Sequence, residues 1–407
     1  MCKAPKENMM ENLKEFRVPG FSANGIHVGI KEDEKPDLSL IFSEKPATAA
    51  AVFTTNCFKA APVLLDMERI RSGIIQAVIA NSGVANAATG EEGFADALAV
   101  SRVLSAELGI ADDRILVAST GVIGPRIPLG KIAGGVKNLV AGLSEDGLEA
   151  AERGIMTTDR FPKIACRRGL IKSREISLCG IAKGAGMIQP NMATMLAFII
   201  TDLAINREEL DFVFRRAAAR TFNAITVDGC MSTNDTAVIM ANGMAGNDPF
   251  KKGSRCLSRF EHLLADLMLE LSKGLVRDGE GATKVIEVEV TEARSLKEAQ
   301  RLAYAIANSN LVKTAFFGGD PNWGRIIAAA GSIGLDLPVE HVKLFLEDIP
   351  IFADGKGASG RELEISEIMK KEEIALRLAV GMGKKKWRIL TSDLSFDYVK
   401  INAHYHT

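Results

Sequence analysis

Between Lys284 and Thr291 the chain alternates Ile286, Val288 and Val290 with Glu287 and Glu289. Successive side chains on a β-strand point to opposite faces, so this segment predicts a strand with one buried and one polar face. Such strands belong to antiparallel or mixed sheets covered on one side; the strands of a (β/α)8 barrel are apolar on both faces. Elsewhere the strand signals are continuous apolar runs, at Gly73–Ala80 and Ile115–Ala118. Helical periods separate them. Phe94, Leu98, Leu104 and Leu108 recur on one face. Asn206 and Glu209 have capping-box spacing ahead of Leu210, Val213, Phe214 and Ala217. A further helix carries Phe260, Leu263, Leu264, Leu267 and Leu271 and is predicted to stop near Gly274, and another starts at the box Ser295…Glu298. Strands return at Val342–Leu346, Ile374–Val380 and Trp387–Leu390. Strands interspersed with helices throughout predict an α/β or α+β layered sandwich, of which α/β is the expected class. The shift to strand-rich sequence near residue 285 predicts two domains, 1–285 and 286–407.

Charge and hydropathy narrow the function classes. Lys+Arg 50 against Asp+Glu 51 leave a net charge of −1, which gives no basic field for nucleic acid or an anionic membrane. The longest apolar stretches, Met195–Ile200 and Ile326–Ala330, are far shorter than the roughly 20 residues of a membrane span. The polar N-terminal residues have no apolar signal core, so the expected compartment is the cytoplasm.

The six cysteines are Cys2, Cys57, Cys166, Cys179, Cys230 and Cys256, with no C-x-x-C pair among them, and are expected as buried free thiols. His404-Tyr405-His406 is a weak metal pattern, and no metal is expected. With five histidines and no Ser-His-Asp constellation, catalysis is expected to rest on another residue type.

The segment Lys183–Asp202 carries the chemistry. A glycine- and proline-rich turn runs into a long apolar strand signal, with one hydroxyl, Thr194, at the junction. Neither a Walker pattern nor G-x-G-x-x-G is present here. One reading is a loop entering a buried strand, with the Thr194 hydroxyl bonded to backbone. The other is self-cleavage. If the Thr194 hydroxyl attacks the Ala193 carbonyl, hydrolysis of the resulting ester leaves Thr194 as a new N-terminus. Its α-amine, with an ordinary pKa of about 8, then serves as general base for its own hydroxyl.

Along almost its whole length the chain resembles the ornithine acetyltransferase (glutamate N-acetyltransferase) family of arginine biosynthesis. The resemblance rests on Val18-Pro19-Gly20-Phe21, Ala80-Asn81-Ser82-Gly83, Ser119 through Gly124, Met156-Thr157-Thr158-Asp159 and Gly186 through Leu196. It continues with Val227-Asp228-Gly229, Ser232 through Thr236, Arg277 through Lys284, Gly319 through Arg325, and Asn402 through Thr407. Two places depart from the family pattern: Cys230-Met231, where an acidic and a small polar residue are usual, and Val84, where a polar residue is usual.

The resemblance implies an αββα sandwich with interleaved chains 1–193 and 194–407 after scission between Ala193 and Thr194, and a smaller C-terminal domain closing the substrate site. It implies Thr194 as nucleophile and Thr120 with Gly121 as the oxyanion hole, whose donors contribute about 3–4 kcal/mol each when well placed. Thr157, Lys183, Thr194, Glu280, Asn402 and Thr407 match the substrate-holding positions. Lys183 is the cation expected for a substrate carboxylate, and Glu280 the anion for a substrate amine. The implied reaction moves acetyl from N2-acetyl-L-ornithine to L-glutamate through an acetyl-threonine ester. No cofactor is implied, acetyl-CoA is a second possible donor, and the implied assembly is an α2β2 heterotetramer. An N-terminal-nucleophile amidohydrolase or aminopeptidase of related fold is the alternative enzyme. A non-catalytic protein with the junction intact is the third reading.

Overall fold

The computed structural model describes residues 16–171, 173–189, 195–250 and 253–404. The junction Ala193-Thr194, Thr407, Cys2 and His406 lie outside the described residues. In chain order the strands are β1 (Phe21–Ile26), β2 (Leu38–Phe53), β3 (Ile74–Val84), β4 (Ile115–Val122), β5 (Ile164–Ile171), β6 (Arg174–Lys183), β7 (Leu196–Thr201), β8 (Ile225–Thr226), β9 (Thr236–Ala241) and β10 (Val285–Ala293). There follow β11 (Lys343–Leu346), β12 (Ile349–Ala353), β13 (Lys356–Gly357), β14 (Glu373–Ala379) and β15 (Lys385–Ser392).

The first sheet has the order β4-β3-β2-β9-β7-β6-β5, with β1 paired antiparallel to β2. β3 and β4 are parallel, as are β7 and β9, and the remaining pairs are antiparallel. The sixteen-residue β2 joins the two halves of this sheet. Its first part pairs with β3 and its last part with β9, and the β3 register shifts between Phe42 and Ala47. Inward residues of both halves, among them Ile41, Ile75, Leu116, Phe198 and Val238, pack into one cluster. Outside one half lie the helices Gly90–Leu108 and Leu129–Ala141, and outside the other the helices Arg207–Arg220 and Arg255–Arg277. The layer order is therefore helix, sheet, sheet, helix. Apolar positions facing both ways along one strand are what such a double-sided burial requires.

The second sheet, ordered β13-β12-β11-β14-β10-β15-β8, takes Ile225–Thr226 from before the helix Arg255–Arg277 and the rest from residue 285 onward. The alternation that predicted β10 is realised: Ile286, Val288 and Val290 enter a core with the helices Leu296–Ala307, Asn310–Phe317 and Trp323–Gly331. Glu287 and Glu289 lie on the opposite face, beside Arg388 and Lys386 of β15.

Three sequence expectations need correction. The helix with Phe260 runs past Gly274 to Arg277, because Leu275 and Val276 are fully buried and their burial outweighs the roughly 1 kcal/mol cost of one helical glycine. Asn206 occupies the N-cap of its helix but makes no side-chain capping bond, whereas Ser295 does accept from the Glu298 N–H. Nor are the cysteines uniformly buried free thiols. Antiparallel pairing of β5 and β6 sets Cys166 opposite Cys179, Cα atoms 4.2 Å apart, and they form a disulfide. Cys57 and Cys230 are free but exposed.

Candidate active site

The carboxyl ends of β3, β4 and β6 and the amino ends of β7 and β9 meet at one edge of the sandwich, where a cavity of about 90 Å3 opens. Thr120, Gly121, Thr157, Lys183, Glu280 and Asn402 all line it. Every described substrate or oxyanion residue named from the sequence is thus brought together. Thr194 and Thr407 lie outside the described residues; Ala185, Gly186 and Met187 on the wall lead toward the junction, and Met195 follows it.

The turn that carries Thr120 needs glycine after it. Gly121 has φ +130°, and a Cβ there would lie 2.2 Å from the Gly83 carbonyl carbon. The neighbouring parallel strand therefore approaches the backbone directly at this point. Gly186 also lines the cavity and has a similar reason, since its Cβ would sit 2.5 Å from the Glu280 carboxyl. That contact sets Glu280 against the loop leading to the junction, and the Glu280 N–H donates to the Ala185 carbonyl at 2.9 Å. Asn402, from the C-terminal helix Phe396–His404, donates to Glu280 Oε2 at 2.8 Å.

Lys183 ends β6 and is only 3 % exposed. Its ammonium donates to Thr120 Oγ1 at 3.1 Å and to Thr157 Oγ1 at 2.8 Å. An ammonium has three donors and no acceptor, so both threonine oxygens accept and each keeps its own hydrogen free to donate. For Thr120 that hydrogen is the one an oxyanion hole needs. Of the adjacent pair Thr157 and Thr158, both on the cavity wall, Thr157 is the one bonded to Lys183.

Beneath the cavity floor lies an ionic network that sequence reading assigned no role. The Asp159 side chain is fully buried and accepts from the Thr157 N–H at 2.9 Å, the Gly184 N–H at 2.7 Å and Lys163 Nζ at 2.7 Å, with Lys183 Nζ 4.0 Å away. Lys163 also meets Asp278 at 2.6 Å, and its N–H donates to the buried Glu152. Burial opposes ionisation of Asp159, but Lys183 and Lys163 outweigh it and hold that carboxyl below the usual carboxylate range. Burial pulls the Lys183 ammonium below the ordinary lysine value, with Asp159 opposing. Burial also pushes Glu152 up to about 8. The sequence signals that touch this network are the blocks Met156–Asp159 and Arg277–Lys284, which carry Asp159 and Asp278.

Layered sheets with a small, donor-rich pocket at their strand ends define an α/β sandwich enzyme for a small polar substrate. A sequence model described as the ArgJ family matches residues 22–407. An arginine biosynthesis bifunctional protein ArgJ from Geobacter sulfurreducens is 50% identical over 393 residues, 96% of this chain and 100% of that one. A protein of the same description from Caldanaerobacter subterraneus is 44% identical, over 95% of this chain and 97% of its own length. The chain belongs to the ArgJ family. Among solved structures, an arginine biosynthesis bifunctional protein from Bacillus halodurans is 36% identical, with TM-score 0.48 over 50% of this chain and 96% of that one. An ornithine acetyltransferase complexed with ornithine from Mycobacterium tuberculosis is 35% identical, with TM-score 0.38 over 44% of this chain and 94% of that one.

Proposed function

We propose that this chain is a glutamate N-acetyltransferase of arginine biosynthesis that cuts itself before Thr194 and then carries acetyl on that threonine. Full-length relatives of the bifunctional ArgJ type support the reaction class. The observation that carries the residue assignment is the convergence on one small cavity of Lys183 bonded to Thr120 and Thr157, and of Glu280 bonded to Asn402. A substrate bearing both a carboxylate and an amine needs a cation and an anion at fixed separation, and this cavity has one of each.

In the first half-reaction the Thr194 oxygen attacks the acetyl carbonyl of N2-acetyl-L-ornithine, and its proton passes to the freed α-amine of the same residue. The C–N bond breaks, ornithine leaves with that proton, and an acetyl ester remains. L-Glutamate then attacks the ester with its amine, giving N-acetyl-L-glutamate and regenerating the hydroxyl. Thr120 O–H and the Gly121 N–H stabilise both tetrahedral oxyanions, and Lys183 keeps the Thr120 hydrogen directed outward. One amide replaces another, so the site's main task is to keep water from the ester.

The same proposal includes the rest of the family picture: no cofactor, acetyl-CoA as an optional second donor, an α2β2 assembly and a cytoplasmic location. Among the described residues no helix is long and apolar enough to cross a membrane. Incubation with acetylornithine, with and without glutamate, tests the reaction. Stoichiometric N-acetylglutamate and glutamate-dependent ornithine release are expected. Ornithine release at the same rate without glutamate would make the chain an amidohydrolase instead.

A further inference from the structure

Residues 234 and 235 link the turn that carries Thr120 to Met195, the residue after the junction, and neither has a role in the chemistry above. Asn234 is 6 % exposed, and its amide nitrogen donates to the Ala85 carbonyl at 2.6 Å and the Ser119 carbonyl at 2.8 Å. The Ser119 carbonyl shares a rigid peptide plane with the Thr120 N–H, so the bond fixes the turn that carries Thr120 and Gly121. Asp235 is 1 % exposed, and its Oδ1 accepts from the Met195 N–H at 3.1 Å. Met195 is the residue bonded to Thr194 and stands immediately before β7. The backbone completes this grip: the Thr236 N–H donates to the Met195 carbonyl at 3.1 Å and the Thr54 N–H to the Asp235 carbonyl at 2.9 Å.

We propose that Asn234 and Asp235 are a pair of positioning residues that set the distance between the oxyanion turn and the nucleophile at residue 194. One amide side chain holds the end of β4, and the next side chain along holds the start of β7. Because the two residues are consecutive, relative movement of the two strand ends must break one of these bonds. Asp235 does this through an oxygen that accepts the Met195 N–H. Burial raises its carboxyl well above the ordinary range. Asparagine has the same shape and keeps one accepting side-chain oxygen, so it can take that N–H in the same way.

The inference rests on the self-cleaving transferase reading, and the experiment separates the two. Parent and variant chains are followed for scission by intact mass, for kcat and KM of acetyl transfer, and for fold by near-UV circular dichroism. Asp235→Ala should slow scission by about 100-fold, the usual effect of a misplacement near 1 Å, while Asp235→Asn cuts at close to the parent rate. Asn234→Ala should lower kcat by about 100-fold with KM near that of the parent, because the oxyanion contact is made only in the transition state. Asn234→Asp, which keeps the volume and loses both donors, should behave likewise and stands in if the alanine variant does not fold. Asp235→Asn as slow as Asp235→Ala, or Asn234 variants that keep the parent kcat, would overturn the inference. A parent chain that neither cuts nor transfers would defeat the proposed function instead.

Discussion

Replacing Asp159 with alanine removes the anion at the centre of the network below the pocket. The half-buried Thr157 N–H and the buried Gly184 N–H lose their acceptor, and Lys163 keeps Asp278 and the Phe161 carbonyl. An unsatisfied buried N–H costs about 1–3 kcal/mol, and breaking a buried ion pair from one side about 3–5 kcal/mol. These contributions overlap, so a loss of about 4 kcal/mol is expected, a large share of the roughly 5–15 kcal/mol that stabilises a domain. Urea unfolding at pH 7 should show a midpoint lower by at least about 1 M, given slopes of about 1–3 kcal/mol/M. The pH dependence has a definite sign. The folded-state pKa of Asp159 lies below the unfolded value of about 3.9, so its contribution is complete above that pH and is lost as pH falls through the folded value. Parent and variant should therefore differ fully at pH 7 and converge only in strong acid. An unchanged midpoint at pH 7, or a difference that shrinks as pH rises from 4 to 7, would refute the reasoning.

Glu152 has the opposite sign. Its pKa is raised to about 8, so the fold is favoured while it is protonated, and that contribution is lost as pH rises from about 4 through 8. Glu152→Gln keeps the acceptor for the Lys163 N–H, and its stability should exceed that of the parent by on the order of a few kcal/mol above pH 8, measured by denaturant titration. Gly121→Ala places a methyl 2.2 Å from the Gly83 carbonyl carbon and should cut acetyl transfer by at least about 100-fold in a steady-state assay. Thr194→Ala should abolish both scission and transfer, and Thr194→Ser should retain part of each because the hydroxyl survives.

Strands β3, β4, β7, β10, β11, β14 and β15 were legible because their burial leaves a pattern: Ile286, Val288 and Val290 alternate, and Ile199 and Ile200 face opposite cores, whereas the long β2 and its partner β9 were not named from the sequence. Helix ends were less so, since Leu275 and Val276 carry their helix beyond a glycine for reasons that lie in another element. The Cys166–Cys179 bridge depends on the β5–β6 register, which spacing along the chain does not reveal. Thr120, Thr157, Lys183, Glu280 and Asn402 could be named only through family resemblance, because each is by itself an ordinary surface residue type. The groups that hold them, Lys163, Asp235 and the side chain of Asp159, gain their importance from burial and long-range bonds. Those arise only once the distant segments have packed together.

Intact-mass analysis of purified protein, with N-terminal sequencing of each fragment, tests self-cleavage most directly. Two fragments are expected, residues 1–193 and residues 194–407, the second beginning Thr194-Met195-Leu196. A single uncut species of 43.7 kDa after prolonged incubation, or a new terminus at another position, would contradict it.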